Sequence, residues 1–228
     1  DEEPGGQLVS ASKPPHKEGL AKWTRWAART AEKAGVKLRF GEAVTGEMIA
    51  TEKPEAVVLA SGADSAAPAI PGIDGPGVRE ARDVLIGKAK MESPAVVLGA
   101  GYVGMETADF LMAQGASVTV LDMSQSPPVP PYTAHGYWLH RRLRKGGRLL
   151  LGAKVTSIDG GAVRYEMEGK AYSEPAAMVV TALGARSERA LEEACAASGV
   201  PCVVVGDAVE PRRLIEAVHE GAKAGREL

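Results

Sequence analysis

The chain has 228 residues, 45% hydrophobic and 25% charged, which is globular material sufficient for one large or two small domains. A formal net charge of −2 gives no electrostatic case for nucleic acid or an anionic membrane surface, no apolar run approaches a membrane span, and DEEPGGQL at the start lacks the features of a signal peptide. Cys195 and Cys202 do not form a CxxC, so this stretch encodes neither a redox dithiol nor a zinc or iron–sulfur site, and the two read as free thiols of a cytoplasmic protein.

In chain order, Gly5-Gly6-Gln7-Leu8 reads as a glycine turn with no strand–turn–helix ahead of it, followed by the loop SASKPPHKEG. Residues 18–34 place Leu20, Trp23, Ala27 and Ala31 at helical spacing and stop at Gly35. Val36–Phe40 predicts a strand, Glu47–Thr51 a helical turn or two, and Ala56–Ala60 a fully apolar strand that runs into Ser61-Gly62-Ala63. Residues 64–82 predict a crossover loop, with Asp83 as the N-cap of a short helix.

The most informative stretch is 95–122, AVVLGAGYVGMETADFLMAQGASVTVLD. Ala95–Leu98 has the length and apolarity of a buried parallel strand, and it leads into Gly99-Ala100-Gly101-Tyr102-Val103-Gly104, the G-x-G-x-x-G spacing. A helix is expected next, with Val103, Ala108, Leu111 and Met112 on one side and Gly115 at its C-terminus. Val118–Leu121 is then a second strand that closes on Asp122. Each glycine has a task if a dinucleotide binds: Gly99 for the tight turn, Gly101 for close approach of a pyrophosphate, Gly104 for close helix–strand packing. The helix N-terminus offers N–H groups to the phosphates. Asp122 lies about 20 residues past the last glycine, where an acid meets the adenosine ribose. A carboxylate there repels a 2′-phosphate, and Met123-Ser124-Gln125 supplies no cation to hold one, so NAD(H) is expected rather than NADP(H).

Beyond the Pro-rich SQSPPVPP, residues 133–145 predict a helix with Trp138, Leu139 and Leu143 inward and Arg141, Arg142, Arg144 and Lys145 on a solvated face. Leu149–Leu151, Val155–Ile158 and Ala162–Glu166 read as strands of a small antiparallel layer, turned at Asp159-Gly160-Gly161. Ala177–Ala182 is a buried strand ending in Leu183-Gly184-Ala185, residues 187–198 a helix, and Cys202–Val205 the last strand, which meets Gly206-Asp207. A helix from Arg212 with Leu214, Ile215, Val218 and Ala222 inward ends the stretch. The like strand exits LASGA at 59–63 and TALGA at 181–185 suggest two related halves. His16, His135, His140 and His219 have no partner at metal or triad spacing and receive no role.

Together, Gly5–Leu8, Leu59–Ala63, IPGIDG at 70–75, Gly99–Ala108, Thr181–Ala185 and VVVGDAVEPRRLIEAVHEG at 203–221 resemble the two-dinucleotide-binding-domain fold of the pyridine nucleotide–disulfide reductase superfamily. More closely, they resemble the C-terminal half of the old-yellow-enzyme-related oxidoreductases, which include 2,4-dienoyl-CoA reductase, NADH:flavin oxidoreductases and trimethylamine dehydrogenase. The resemblance covers essentially the whole chain and is specific for the fold, not for the substrate.

It implies an α/β protein with two Rossmann-like dinucleotide-binding domains, the second inserted in the first, and the first truncated at its N-terminus. Residues 1–70 and 186–228 are expected to be the partial FAD- or ADP-binding domain, and 71–185 the inserted NAD(H)-binding domain. By resemblance, Gly99, Gly101, Tyr102, Val103, Gly104 and Asp122 bind NAD(H), Gly184 lies where the nucleotide passes the second strand exit, Glu106 lies near the nicotinamide, and Tyr102 covers that pocket. Gly6, Gln7, Gly62, Gly206 and Asp207 match the flavin-domain motifs, with the Asp on the ribityl or pyrophosphate part of FAD. The family pattern puts an FMN-binding barrel and a 4Fe-4S cluster upstream, so the chain is expected to be part of a longer polypeptide that acts on a small-molecule substrate and to be inactive by itself. Two functions stay open: NADH-to-FAD hydride transfer feeding an FMN barrel that reduces an enoyl- or dienoyl-type substrate, or a structural ADP-binding domain of an amine dehydrogenase.

Overall fold

A computed structural model of the chain describes residues 2–66 and 68–228. The elements begin with α1 (Gln7–Ala11), α2 (Glu18–Lys33), α3 (Gly46–Glu52), β1 (Val57–Leu59), β2 (Ala63–Ser65), β3 (Val78–Glu80) and α4 (Ala81–Leu85). Then come β4 (Ala95–Leu98), α5 (Tyr102–Ala113), β5 (Val118–Asp122), α6 (Ala134–Gly146), β6 (Gly147–Leu151), β7 (Lys154–Asp159), β8 (Ala162–Met167) and β9 (Lys170–Pro175). The last are β10 (Met178–Thr181), β11 (Ala185–Ser187), α7 (Ala190–Ala197), β12 (Cys202–Val204), a short 3-10 turn at Gly206–Ala208, and α8 (Leu214–Glu227). No described helix is long and apolar enough to cross a membrane.

Contacts divide the chain into two units, one of Asp1–Gly6, Lys37–Ala66 and Ala185–Leu228, the other of Gln7–Val36 and Ala67–Gly184. In the second unit β3, β10, β4, β5 and β6 lie side by side, all parallel, as a five-stranded sheet. Short runs such as AVVL and VTVLD are apolar at every position because both faces of this sheet are covered. Ala95, Val97, Val118, Val120, Met178 and Val180 point to one face and pack on Ala81 and Val84 of α4, Met105, Ala108 and Leu111 of α5, and Leu139 and Leu143 of α6. The alternate residues Val96, Leu98, Leu121 and Val179 point to the other and meet Val163, Tyr165 and Ala176, which belong to or adjoin the antiparallel β7-β8-β9 sheet. Each Val, Leu or Met among these removed from water contributes about 1.5–3 kcal/mol. The β7-β8-β9 meander thus covers the face opposite α4, α5 and α6.

In the first unit β1 pairs in parallel with β12, and β2 pairs antiparallel with β11. These last two are the segments reached after the like exits LASGA and TALGA, so the two strand exits feed one shared ribbon. α3 and α7 pack together, with the Ala194 methyl against Gly46.

Several sequence expectations change. Residues 7–36, expected in the first domain, group with the second unit because α1 packs on α4 and Lys17 pairs with Glu106 of α5. Gln7 opens a short helix, and Val36–Phe40 forms no strand: no described strand lies alongside it, and both Val36 and Phe40 are exposed. In α2 the buried polar Thr24 takes the inward place expected of Trp23, which is exposed. The cap of α4 is Glu80, whose Oε2 accepts from the amides of Arg82 at 2.7 Å and Asp83 at 3.3 Å, so Asp83 lies inside the first turn. Inward positions of α6 are Gly136, Leu139, His140 and Leu143, the i, i+3, i+4, i+7 stripe, which turns Trp138 outward. Val103 is likewise exposed, and in α8 the apolar Leu214, Ile215 and Val218 are exposed while Ala224 is buried. Strands β2, β3, β9 and β11 were not expected.

Two glycines of α5's approach separate fold from function. A Cβ at Gly104 would stand 1.9 Å from the Gly99 carbonyl oxygen, whereas one at Gly101 meets nothing within 4 Å. Gly104→Ala is expected to destabilise the second unit by about 3 kcal/mol, at the upper end of overpacking costs, and Gly101→Ala to leave the denaturant midpoint unchanged. Equal midpoints for both variants would contradict the backbone-contact reading.

Candidate dinucleotide-binding site

The loop from β4 to α5 is shaped by backbone against backbone. Gly99 takes φ +100°, and a Cβ there would come within 2.4 Å of the Ala182 carbonyl oxygen beyond β10. With Gly104 pressed on Gly99, the first turn of α5 is seated directly on the end of β4. Gly101 is the N-cap, extended at φ −67° and ψ 178°, with no side-chain cap. The first-turn N–H groups of α5 therefore lack a side-chain acceptor and carry the positive end of the helix dipole. Tyr102 and Val103, both exposed, flank this bare backbone. Gly184, φ +100°, also has open space where a Cβ would stand.

Asp122 closes β5 beside this loop. Its Oδ2 accepts from the Ala100 amide at 2.6 Å and its Oδ1 from the Ser124 amide at 2.8 Å, so the carboxylate is locked to the glycine loop. Each oxygen keeps lone-pair capacity for a further donor such as a sugar hydroxyl.

One turn into α5, Glu106 is buried and its Oε1 accepts from Lys17 Nζ at 2.6 Å and His135 Nε2 at 2.8 Å. The Tyr102 ring stacks on the His135 imidazole, with centroids 5.8 Å apart and planes at 14°. A second pair runs parallel: Arg142 Nε donates to Oδ1 of the buried Asp109 at 2.8 Å, while Asp109 Oδ2 is buried without a partner among the described residues. Lys17 and His135 were missed from the sequence. His135 stands in the first turn of α6, and no motif spacing links it or Lys17 to Glu106. Arg142, expected on a solvated face, is tied to Asp109; Arg141 instead lies over the Trp138 ring at 5.3 Å.

The structure thus brings Gly99, Gly101, Tyr102, Val103, Gly104, Glu106, Asp122 and Gly184 into one unit, around the C-terminal ends of β4, β5 and β10. Gly6, Gly62, Gly206 and Asp207 belong to the other unit, and Gln7, expected with them, does not. Gln7 Oε1 accepts from Arg82 at 3.0 Å. Gly62 follows β1 and Gly206 follows β12, so both lie at the C-terminal end of that parallel pair. The Gly206 amide donates to Glu220 Oε2 at 2.7 Å, Glu220 also pairs with Arg212, and Asp207 Oδ1 accepts from the Arg212 amide at 3.0 Å. Among the described residues, this unit has no strand–glycine–helix cradle for a pyrophosphate.

A family model for pyridine nucleotide-disulphide oxidoreductases matches residues 50–209, the span that holds both strand exits and the glycine loop. The chain belongs to this family. It is 35% identical over 232 residues to a bilirubin reductase of Mediterraneibacter gnavus, covering 98% of this chain and 35% of that protein. It is 32% identical to an NADH oxidase of Thermoanaerobacter brockii, covering 95% and 34%. Among solved structures, a 2-naphthoyl-CoA reductase bound to 2-naphthoyl-CoA superposes with TM-score 0.93 at 27% identity, over 100% of this chain and 35% of that one. The chain therefore spans about a third of the length of the relatives it matches. The family binds FAD and NAD(P)H, and its fold, as seen in old-yellow-enzyme-related oxidoreductases, is the α/β arrangement described above.

The Gly206 turn yields a pH prediction for this family member. The Gly206 N–H, and after it Arg212, hold the Glu220 carboxyl below the usual carboxylate range. A carboxylate with a depressed folded-state pKa contributes stability above its ordinary pKa and loses it as pH falls through the lowered value. The Gly206 amide resonance is expected to titrate with a midpoint below 4.5, the ordinary value for Glu, and to stop titrating in Glu220→Gln. A midpoint at or above that value would refute the anchoring role.

Proposed function

We propose that this chain is the nicotinamide-nucleotide-handling part of a flavin-dependent oxidoreductase. It binds NAD(H), and in the whole enzyme the bound nucleotide would serve as hydride donor to FAD, with a 4Fe-4S cluster and an FMN barrel supplying the onward chemistry for reduction of an enoyl- or dienoyl-type substrate. The single observation that carries this reading is the uncapped, Cβ-free approach at Gly101, framed by the Gly99–Gly104 backbone contact and the Asp122 carboxylate. An α5 seated this way presents N–H donors to an anion at no further conformational cost.

The residues of this chain then have defined tasks. Gly101, Tyr102, Val103 and Gly104 hold the pyrophosphate with main-chain N–H groups. Asp122 accepts from the adenosine ribose and, with no cation in Met123-Ser124-Gln125, selects NAD(H) over NADP(H). Gly184 leaves the nucleotide room to pass the exit of β10. Glu106, held by Lys17 and His135, presents a fixed carboxylate on the nicotinamide side, and Tyr102 against His135 covers it. The chemistry of hydride release belongs to the nucleotide; the protein orients it and keeps water away. Such a transfer requires no side chain of this chain as acid or base. Gly6, Gly62, Gly206 and Asp207 are proposed to contact FAD or ADP, although among the described residues that unit forms no phosphate cradle.

The longer relatives, among them a bilirubin reductase and an NADH oxidase, support a further domain in the same polypeptide, which we propose to be the FMN barrel with its iron–sulfur cluster. On this reading the chain alone has no reductase turnover.

Calorimetric titration with NADH, NADPH, ADP and FAD in parallel tests the proposal. NADH is expected to bind most tightly, with Asp122→Ala weakening NADH about ten- to a hundredfold, the worth of a charged hydrogen bond, and weakening NADPH less. Glu106→Gln is expected to weaken NADH and leave ADP unchanged, since ADP has no nicotinamide. ADP binding as tightly as NADH would instead indicate a structural nucleotide site and contradict the hydride-donor reading.

A further inference from the structure

Beside the Glu106 cluster, Pro15, His16, His135, Trp138 and Arg142 line an open cleft of about 390 Å³. That volume falls within the range of small-molecule sites, about 300–1,000 Å³. All five residues belong to the second unit, and none lies in the glycine loop.

The cleft is rich in donors and has no acid among its lining residues. Arg142 spends Nε on Asp109, and its two terminal nitrogens have no protein acceptor among the described residues. The His16 ring and the Trp138 indole N–H make no hydrogen bond there either. The nearest acids are already engaged: Asp109 by Arg142, Glu106 by Lys17 and His135, and the exposed Glu18 by the His16 main-chain N–H at 3.2 Å, within the field of the His16 ring. The rest of the lining is the Pro15 ring and the Trp138 indole, which also meets the Arg141 guanidinium at 5.3 Å and Tyr137 edge-on. A guanidinium edge matches a carboxylate in a bidentate fork, and an indole face matches a planar conjugated body. The guanidinium is held in place by a buried partner, so little ordering is needed on binding.

We propose that this cleft is a binding site for a small aromatic or conjugated carboxylate, separate from the glycine loop, with the carboxylate on Arg142 and His16 and the ring against Trp138. This goes beyond the NAD(H) reading and does not rest on it. Because His135 lines the cleft and also bonds Glu106, the occupant would sit one side chain away from that carboxylate.

Benzoate is the probe, followed by tryptophan fluorescence and calorimetry on the full chain, with acetate (charge without ring) and benzamide (ring without charge) as comparators. Saturable benzoate binding at least about tenfold tighter than either comparator is expected, roughly the worth of one charge-assisted hydrogen bond. Trp138→Phe should remove the fluorescence change, which separates Trp138 from Trp23 and Trp26, while calorimetry still detects benzoate. Arg142→Lys keeps a charge beside Asp109 but loses the fork and should weaken benzoate about tenfold. Since this variant can destabilise α6, the exposed His16→Gln is the second test, expected to weaken benzoate several-fold with an unchanged melting temperature. Benzamide binding as tightly as benzoate, wild-type affinity in both His16→Gln and Arg142→Lys, no saturable binding, or displacement of benzoate by NADH would each overturn the proposal.

Discussion

The contact between the Gly104 α-carbon and the Gly99 carbonyl governs the second unit. It leaves no room for a side chain, so it draws the start of α5 onto the end of β4. Everything useful about the site follows from that approach: the helix N-terminus faces outward beside bare Gly101 backbone, and the next turn carries Glu106 to where Lys17 and His135 can reach it. Asp122 binds the loop from the other side through the Ala100 amide, so strand, loop and acid form one rigid frame. A larger residue at Gly104 would push the helix away and loosen all of these at once.

The Glu106 carboxylate adds a second constraint. It is buried, and a buried carboxylate is costly unless paired and hydrogen-bonded. Lys17 supplies the charge and His135 a second donor, and they come from a loop between α1 and α2 and from the start of α6. The carboxylate therefore ties three separate segments together, including the Gln7–Val36 segment that packs with this unit. The Asp109–Arg142 pair repeats the device deeper along the same two helices, with one carboxylate oxygen left unpaired. His135 on Glu106 and Arg142 on Asp109 both come from α6, so the two buried acids of α5 fix how α5 and α6 lie together.

Much of this was legible in the sequence. β4, the glycine loop, α5 and β5 could be placed because each signal is local: an apolar run, glycines at fixed spacing, a helical stripe and a terminal acid. The meander β7–β8 was legible from its Gly-Gly turn. What escaped is non-local. The inward face of α6 is chosen by the sheet beneath it, which prefers the Leu139–Leu143 stripe and turns Trp138 outward. β3 and β9 exist because β10 and β8 offer them ladder partners, whereas Val36–Phe40 has strand composition and no described partner. Lys17 and His135 are far from Glu106 in sequence, and no spacing rule connects them.

In the proposed function, the dinucleotide pyrophosphate is held at the first turn of α5. Mapping main-chain amide resonances during NADH titration tests it most directly. The largest shifts should fall on the amides of Gly101, Tyr102, Val103 and Gly104, with Ala100 and Ser124, the partners of Asp122, next. Shifts that leave Gly101–Gly104 unmoved while NADH saturates the protein would contradict the claim.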